Sequence, residues 1–202
     1  MRILVFGDSI AYGFYDTEKG GWVERLKAYL YENTDDDGVY NLGISADKTV
    51  EILKRLELEA KVRNPGLIIF AIDINDSVLL KKENENWVNI DKFKENIKDM
   101  IRTSKTFTDK IIFIGITMVD ESKVTPIPWD TNKYYTNENI AKYNTIIKNI
   151  CKDSDLLFLD LFDEFNKIDY KKLLHDGLHP NSEGHKLIFE KVKDFLIANH
   201  II

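Results

Sequence analysis

Short, continuous apolar runs constrain the fold of this chain more than any other feature of its sequence. Each run spans four to six residues, lacks the alternation of a half-exposed strand and is too short for a buried helix. Strands covered on both faces have this pattern, which is typical of a parallel sheet. The runs are Ile3 to Phe6, Leu67 to Ile72, Ile111 to Ile116 and Leu156 to Leu159, and a weaker run at Val39 to Leu42 predicts a fifth strand.

Helical patterns fill the intervals between these strands. Successive strands begin roughly 30 to 45 residues apart, which suits the crossover helices that connect parallel strands. We therefore predict an α/β fold built on a five-stranded parallel sheet. The helices are predicted at Trp22 to Tyr31, Thr49 to Lys61, Asn89 to Thr103, Asn137 to Lys152 and Ser182 to Ala198.

The size and charge of the chain narrow its class. With 202 residues, 44% of them hydrophobic, it can bury one substantial core, and we predict a single domain over residues 1–202. The formal net charge is -6, and the positive residues are scattered along the chain. Because phosphate binding needs a basic stripe, we expect no nucleic-acid partner.

The cysteine content and the hydropathy pattern indicate the compartment. Cys151 is the single cysteine, so an internal disulfide is excluded, and its helical context predicts a buried, inert thiol. No apolar stretch reaches the roughly 18 residues that a membrane span needs. The first predicted strand begins at Arg2 and leaves no room for a targeting segment ahead of it. We expect a cytoplasmic protein without a membrane span; its oligomeric state is left open.

Polar motifs follow three of the predicted strands at the point where each strand ends. They are Gly7-Asp8-Ser9, Asn41-Leu42-Gly43-Ile44-Ser45 and Asp73-Ile74-Asn75-Asp76-Ser77. The C-terminal ends of parallel strands lie along one edge of a sheet, and open α/β folds bind their ligands at that edge. We therefore expect the three motifs to meet in one site.

A nucleophile, a base and an acid can be assigned from the first motif and from a fourth, Asp176-Gly177-Leu178-His179-Pro180. A serine hydroxyl becomes nucleophilic at neutral pH when a histidine takes its proton, and a carboxylate orients that histidine and supports its charge. Ser9 is the candidate nucleophile, His179 the base and Asp176 the acid. A chain with this set of groups is predicted to catalyse acyl transfer.

Hydrogen-bond donors for a tetrahedral intermediate are also present in the motifs. The backbone N–H of Ser9, the backbone N–H of Gly43 and the side-chain amide of Asn75 are predicted to form an oxyanion hole. Glycine suits this role because it has no side chain to keep a reacting oxygen away from its N–H.

Together the motifs resemble the sequence blocks of the SGNH hydrolases, also called the GDSL esterase and lipase family, over essentially the full chain. The resemblance implies a flavodoxin-like three-layer α/β/α sandwich, which agrees with the predicted strands. It also implies a serine esterase in which Ser9, Asp176 and His179 are catalytic, and in which Ser9, Gly43 and Asn75 supply the oxyanion donors.

Two positions depart from the family pattern. Asp73 stands where the third block has glycine. Its carboxylate either repels the oxyanion, braces the loop of Asn75 or narrows the acyl pocket, and we expect activity to survive because the other groups are intact. Ala46 stands where glycine is frequent, and we expect little effect. The neighbouring acids Asp8 and Asp76 are given structural roles in their turns.

The other histidines are weaker candidates for the base. His175 competes with His179, but His179 has the family's spacing to Asp176 and precedes a proline, which favours an extended backbone. His185 and His200 fall on or after the last predicted helix, where exposed histidines are ordinary. We therefore assign the base to His179.

No cofactor or metal ion is expected. The chain has no Gly-x-x-x-x-Gly-Lys or Gly-x-Gly-x-x-Gly motif, and its cysteine and histidines do not have zinc spacing. Asp35-Asp36-Asp37-Gly38 lacks the alternating acids and the final glutamate of a calcium loop. We predict a solvated turn there.

Two long connections follow strand ends. Asp76 to Asn86 is predicted to be a solvated loop. Met118 to Thr136 carries apolar bulk at Trp129, Tyr134 and Tyr135. These aromatic side chains either line the substrate pocket or pin the loop to the body of the protein.

The prediction is thus a serine esterase that hydrolyses a small-molecule substrate, a short acyl or acetyl ester of a small alcohol or a sugar. An acyltransferase would use the same chemistry. The alternative from a different class is a non-catalytic flavodoxin-like binding module in which Asp73 disables the oxyanion hole. A flavin or phosphate protein is a third alternative, although the loop at Gly7 lacks the expected run of Ser, Thr and Gly.

Overall fold

A parallel sheet forms the centre of the computed structural model, which describes residues 1–33 and 38–202. Its strands lie in the order Gly38–Gly43, Arg2–Gly7, Leu67–Ala71, Ile111–Ile114 and Leu157–Leu159, which is the flavodoxin-like order. The predicted turn at Asp35 to Asp37 lies outside the described residues. Numbered along the chain, the strands are β1 (Arg2–Gly7), β2 (Gly38–Gly43), β3 (Leu67–Ala71), β4 (Leu79–Leu80), β5 (Glu85–Asn86), β6 (Ile111–Ile114), β7 (Lys133–Tyr134) and β8 (Leu157–Leu159).

Helices connect the strands of the sheet, and the five long ones lie where the sequence predicts them. Within the described part of the chain, every helix is too short or too polar to cross a membrane. The helices are α1 (Ser9–Tyr12), α2 (Trp22–Asn33), α3 (Thr49–Arg63), α4 (Ile90–Ser104), α5 (Glu121–Val124), α6 (Asn137–Asp153), α7 (Leu161–Asn166) and α8 (Ser182–Ala198), and a 3₁₀ turn covers Tyr170–Leu173.

Both faces of the sheet are buried under helices. On one face, strand residues such as Ile3 and Ile69 pack with the apolar sides of α2 and α8. On the other face, Leu4 and Phe70 pack with α3, α4 and α6. Because successive residues of a strand point to opposite faces, both sets must be apolar, and the strands appear in the sequence as continuous apolar runs. The result is a three-layer α/β/α sandwich.

Two local predictions concern the edges of this core. Cys151 is buried in α6 as predicted, and burial raises the pKa of its thiol to about 12. The last strand differs from its prediction, since Leu157–Leu159 is half-buried. It lies at the edge of the sheet, where a neighbouring strand covers one side alone.

The C-terminal ends of β1, β2 and β3 lie next to one another along one edge of the sheet, which we call the motif edge because the polar motifs follow these strands. Gly7, the last residue of β1, pairs with Gly43 at the end of β2 and with Ala71 at the end of β3. The segments that leave these three strands therefore begin side by side, as the sequence predicts.

A second, three-stranded antiparallel sheet stands beside this edge, in the order β5-β4-β7. Leu79 pairs with Asn86 on one side and with Tyr134 on the other. The prediction of a solvated connection at Asp76 to Asn86 is confirmed for Lys81 to Glu85, which are exposed, and wrong for Asp76 to Val78, which are buried. The small sheet joins two connections that are far apart in the sequence.

Candidate active site

Ser9 stands at the first position of α1, directly after the turn that ends β1. Asp8 caps this helix, because its Oδ1 accepts a hydrogen bond from the Ile10 N–H at 2.9 Å. The turn requires glycine at position 7, since a Cβ there would lie 2.4 Å from the Cβ of Ala11 and 2.6 Å from the carbonyl oxygen of Ala71. Asp8 thus has the structural role predicted for it, and the tight turn brings Ser9 to the edge of the sheet.

A continuous hydrogen-bonded chain runs from Ser9 through His179 to Asp176. Ser9 Oγ lies 2.9 Å from His179 Nε2, and His179 Nδ1 lies 2.8 Å from Asp176 Oδ2. Because a carboxylate accepts, the proton of the imidazole sits on Nδ1, which leaves Nε2 free to accept the hydroxyl proton of Ser9. The structure therefore brings together the three side chains that the sequence singles out.

The environment of Asp176 keeps its carboxylate charged. Burial by itself would raise its pKa, but the His179 ring and the backbone N–H groups of His179 and Leu178 donate hydrogen bonds to it. These donors lower the pKa of Asp176 to about 2. A permanent negative charge thus lies beside the imidazole, where it supports the positive charge that His179 gains on accepting a proton.

Asn75 follows β3 and is held from both ends of its amide. Its Nδ2 donates to the carbonyl oxygen of Asp47 at 3.0 Å, and its Oδ1 accepts from the hydroxyl of Tyr135 at 2.9 Å. Because an amide nitrogen carries two protons, one Nδ2–H is still available. Asn75 lines the same cavity as Ser9 and His179.

Gly43 differs from its prediction. Its N–H donates to Asn41 Oδ1 at 3.0 Å, and Gly43 does not line the cavity. A Cβ at this position would lie 2.3 Å from the backbone nitrogen of Tyr12. The glycine is therefore needed for the close approach of β2 to α1, and its N–H is already engaged.

Ala46, three residues later, differs from Gly43 on both points. It lines the cavity with Ser9 and Asn75, and among the described residues its N–H has no hydrogen-bond partner. Its φ of 65° lies in the left-handed region, which glycine adopts without strain. In the sequence, the feature that points to this residue is the alanine at a position where the family frequently has glycine, from which we expect little effect.

A cavity of about 420 Å³ opens over Ser9 and His179. Trp129 lines it, as does Tyr135, whereas Tyr134 does not. Tyr134 pairs in the small sheet instead, so its neighbour Tyr135 points to the site. The pocket role predicted for Tyr134 is therefore wrong. The cavity wall is mostly apolar, with Ile74 and Leu178 among its residues.

Asp73 does not line the cavity either, so its predicted pocket role is wrong. Its side chain is fully buried, and neither carboxylate oxygen has a hydrogen-bond partner among the described residues. Burial, and then the nearby carboxyls of Asp76 and Asp8, raise its pKa well above the ordinary value. Burial thus favours the neutral form of Asp73, which lies outside the cavity wall.

His175 and His185 lie near the site without joining the hydrogen-bonded chain. His175 stacks on Tyr15 with ring centroids 4.0 Å apart. His185 is buried, contrary to the prediction, and its Nε2 lies 2.9 Å from the carbonyl oxygen of Phe14. Because a carbonyl accepts, Nε2 donates, and His185 thereby anchors the segment that packs Phe14 against His179. In the described parts of the chain, His, Cys, Asp and Glu form no group of three or more that could hold a metal ion.

Comparison with known proteins finds relatives along the whole chain. Residues 5–187 match the family model described as the GDSL-like lipase/acylhydrolase family. The chain is 26% identical over 196 residues to the GDSL esterase/lipase CPRD49 of Arabidopsis thaliana, covering 93% of this chain and 75% of the relative. It is 26% identical over 207 residues to the isoamyl acetate-hydrolyzing esterase of Saccharomyces cerevisiae, covering 95% of this chain and 84% of the relative.

Solved structures confirm the predicted fold. A lipase/acylhydrolase from Enterococcus faecalis superposes with a TM-score of 0.80 at 23% identity, covering 98% of this chain and 96% of the other. An acetylxylan esterase from Geobacillus stearothermophilus superposes with a TM-score of 0.74 at 21% identity, covering 96% and 92%. The flavodoxin-like three-layer sandwich is therefore shared with these enzymes.

Proposed function

Because the chain belongs to the GDSL-like lipase/acylhydrolase family and is a hydrolase of ester bonds, we propose that it cleaves a carboxylic ester through an acyl-serine intermediate on Ser9. The observation that carries this proposal is the hydrogen-bonded chain from Ser9 Oγ through His179 to Asp176, with contacts of 2.9 Å and 2.8 Å. A serine in such a chain can lose its proton at the moment of attack.

The first step forms the acyl-enzyme. Ser9 Oγ attacks the ester carbonyl carbon while His179 Nε2 accepts the hydroxyl proton, and Asp176 stabilises the resulting imidazolium. The tetrahedral intermediate then collapses, and His179 returns the proton to the departing alcohol. In the second step, His179 takes a proton from the water that attacks the acyl-serine. The second tetrahedral intermediate then collapses, His179 returns the proton to the departing Ser9 Oγ, and the acid is released.

The oxyanion of each intermediate needs donors that are free in the resting enzyme. We propose the backbone N–H of Ser9, the backbone N–H of Ala46 and the remaining Nδ2–H of Asn75 for this role. The first two have no partner among the described residues. Gly43 is not included, because its N–H is bonded to Asn41.

The position of Asp73 argues against the binding-module alternative. That alternative requires a carboxylate in the oxyanion hole, whereas Asp73 is buried away from the cavity wall and burial favours its neutral form. A buried carboxyl outside the wall, whose neutral form is favoured, opposes a developing oxyanion less than a carboxylate in the oxyanion hole would. The geometry therefore favours catalysis over binding alone.

A short acyl ester is the proposed substrate. The cavity of about 420 Å³ is open and mostly apolar around Ser9, with exposed aromatic side chains at its rim, including Trp129. The yeast relative is named for isoamyl acetate, and the bacterial esterase is named for acetylated xylan. We propose acetate and other short acyl groups, on a small alcohol or a sugar, for a protein that works as a single domain.

Hydrolysis of p-nitrophenyl esters from acetate to octanoate tests the proposal. The Ser9→Ala variant is run beside the wild type, with Ser104→Ala as a matched control. Ser104 is a buried serine at the end of α4, remote from the motif edge of the sheet, and its hydroxyl has no partner among the described residues. We expect Ser9→Ala to lower kcat about a millionfold and Ser104→Ala to leave it unchanged.

Intact-mass measurement after rapid quenching sharpens this test. We expect an acyl adduct on the wild type and on Ser104→Ala, and none on Ser9→Ala. Turnover by Ser9→Ala within tenfold of the wild type, or no turnover by a correctly folded wild type on any of the esters, would overturn the proposal.

A further inference from the structure

The wall of the cavity carries one fixed charge. Among its described lining residues, Lys133 is the sole permanently charged side chain, and no aspartate or glutamate is present. This is notable in a chain whose formal net charge is -6. The rest of the wall is mostly apolar, so a ligand meets an apolar surface with a single cation.

The structure holds the ammonium group of Lys133 in place. Its Nζ lies 4.1 Å from the ring centroid of Trp87, which also lines the cavity. Lys48 Nζ lies 4.2 Å from the same ring and is paired with Glu51 at 3.2 Å. Cation–π contacts of this kind favour one position of a flexible lysine.

Lys133 has binding capacity left for a ligand. Its Nζ lies 3.3 Å from Asp130 Oδ2, and the carboxylate of Asp130 is itself 38% exposed to solvent. An ammonium group has three N–H donors, and one partner does not use them all. The side chain of Lys133 is 24% exposed, so an anion in the cavity would find a cation that is partly shielded from water.

We propose that the natural substrate carries a negative group, of the carboxylate type, that binds Lys133 while Ser9 attacks the ester. This inference rests on the proposed function and adds to it the charge of the substrate. An apolar cavity with one cation and no acid in its described wall favours a ligand with an apolar body and one anionic end. The anionic group belongs either to the acyl part or to the alcohol part of the ester.

Two matched pairs of esters separate these sources. For the acyl part, the mono-p-nitrophenyl ester of adipic acid is compared with p-nitrophenyl 6-methylheptanoate, in which an isopropyl group replaces the carboxylate. For the alcohol part, 4-acetoxybenzoate is compared with 4-acetoxybenzamide. Within each pair, the ratio of kcat/KM for the anionic ester to that for the neutral ester is measured at low and high salt.

Three variants assign the effect to one side chain. Lys133→Met removes the charge and keeps an apolar chain, and Lys133→Arg restores a cation. Lys81→Met is the matched control, because Lys81 follows β4 in the same small sheet, is exposed and does not line the cavity. It changes the net charge by the same amount.

In one of the two pairs, we expect the wild-type ratio to fall about tenfold in Lys133→Met, to recover in Lys133→Arg and to stay unchanged in Lys81→Met. High salt should reduce the wild-type ratio toward that of Lys133→Met. Unchanged ratios in Lys133→Met for both pairs would overturn the inference, as would an equal fall in Lys81→Met.

Direct binding keeps the test independent of turnover. The four esters are titrated into the Ser9→Ala variant and into Ser9→Ala combined with Lys133→Met, by calorimetry. Tighter binding of an anionic ester that disappears without Lys133 supports the inference even if turnover fails. Equal binding of all four esters to both proteins contradicts it. Ser9-dependent hydrolysis of the neutral esters is a separate result that concerns the proposed function alone.

Discussion

Three carboxyl groups near Ser9 behave differently, although burial acts on all of them in the same direction. Asp176 accepts hydrogen bonds from the His179 ring and from two backbone N–H groups, and its pKa falls to about 2. Asp8 accepts one, from Ile10, and burial raises its pKa to about 6. Asp73 accepts none among the described residues, and its pKa lies well above the ordinary value.

The difference lies in the donors that each carboxyl meets. A buried carboxylate keeps its charge when hydrogen-bond donors replace the water that it has lost, and it otherwise retains its proton. Asp76 shows the limit of this rule, since it accepts bonds from the N–H and hydroxyl of Thr49, yet burial still raises its pKa to about 7. Around Ser9, the firmly held negative charge is therefore the one beside the imidazole.

The largest expected effect comes from replacing the carboxylate that is rich in donors. We expect Asp176→Asn to lower kcat about 10⁴-fold without unfolding the protein, because an amide cannot support the imidazolium and favours the wrong tautomer of His179. Ester hydrolysis and circular dichroism measure the two quantities. The exposed Asp163→Asn is the control, and a loss of less than tenfold in Asp176→Asn would remove Asp176 from the proposed mechanism.

Replacing Asp8, which accepts one hydrogen bond, should change how the stability of the protein depends on pH. Native Asp8 keeps its proton up to about pH 6, whereas the unfolded chain loses it near 3.8, so the native state binds more protons between these values. Its contribution to stability therefore falls as pH rises from about 4 to 7, by about 3 kcal/mol in total. Asn keeps the cap acceptor for Ile10, so Asp8→Asn should lose this pH dependence.

Urea unfolding of both proteins at several pH values from 4 to 7.5 measures this difference. We expect Asp8→Asn to gain stability relative to the wild type as pH rises. A difference between the two proteins that stays constant across this range would mean that Asp8 ionises in the native state as it does in the unfolded chain.

A smaller effect is expected on the oxyanion side, where positioning depends on a neutral donor. Tyr135→Phe removes the hydroxyl that holds Asn75 Oδ1, and we expect kcat to fall about tenfold with little change in KM, because Asn75 is proposed to act on the transition state. Steady-state kinetics with p-nitrophenyl acetate measures both. Tyr134→Phe is the matched control, since Tyr134 does not line the cavity. Equal losses in the two variants would argue against this role of Tyr135.

The smallest effect is expected from replacing Asp73, the carboxyl that accepts no hydrogen bond from the described residues. Asp73→Asn replaces a buried group, whose neutral form burial favours, by a neutral group of nearly the same shape, and we expect kcat at pH 7 to stay within threefold of the wild type. The chemical change is the same as in Asp176→Asn, so the pair of variants isolates the environment. A rise in turnover of tenfold or more in Asp73→Asn or Asp73→Gly would show that Asp73 opposes catalysis.

The sequence predicts the large sheet and its helices well, because continuous apolar runs and helical periodicity report burial directly. It also identifies Ser9, His179 and Asp176, which the structure places within hydrogen-bond distance of one another. Their catalytic roles stay predictions. The two-residue strands of the small sheet are too short to show any periodicity, and pairing between distant segments creates them.

The errors within the site arise from contacts that spacing does not reveal. The sequence predicts that the N–H of Gly43 is a free donor, but this N–H donates to the side chain of Asn41. Among the described residues, the N–H of Ala46 has no hydrogen-bond partner. Tyr134 and Tyr135 are neighbouring residues of the same type, so the sequence does not distinguish them. Strand pairing in the small sheet decides which of them faces the cavity. In each case, a partner distant in the sequence or a local side-chain bond selects the residue.

The small sheet β5-β4-β7 has a consequence for engineering and divergence. The groups proposed for bond cleavage leave the ends of the large sheet or follow its last strand, whereas Lys133 belongs to the small sheet and Trp87 follows β5 directly. Parts of the cavity wall, which contacts the substrate in the proposed function, thus belong to short segments that are separate in the sequence from the reacting groups. Libraries or grafts confined to these segments, with Tyr135 kept to hold Asn75, should exchange one ester preference for another while the chemistry is retained.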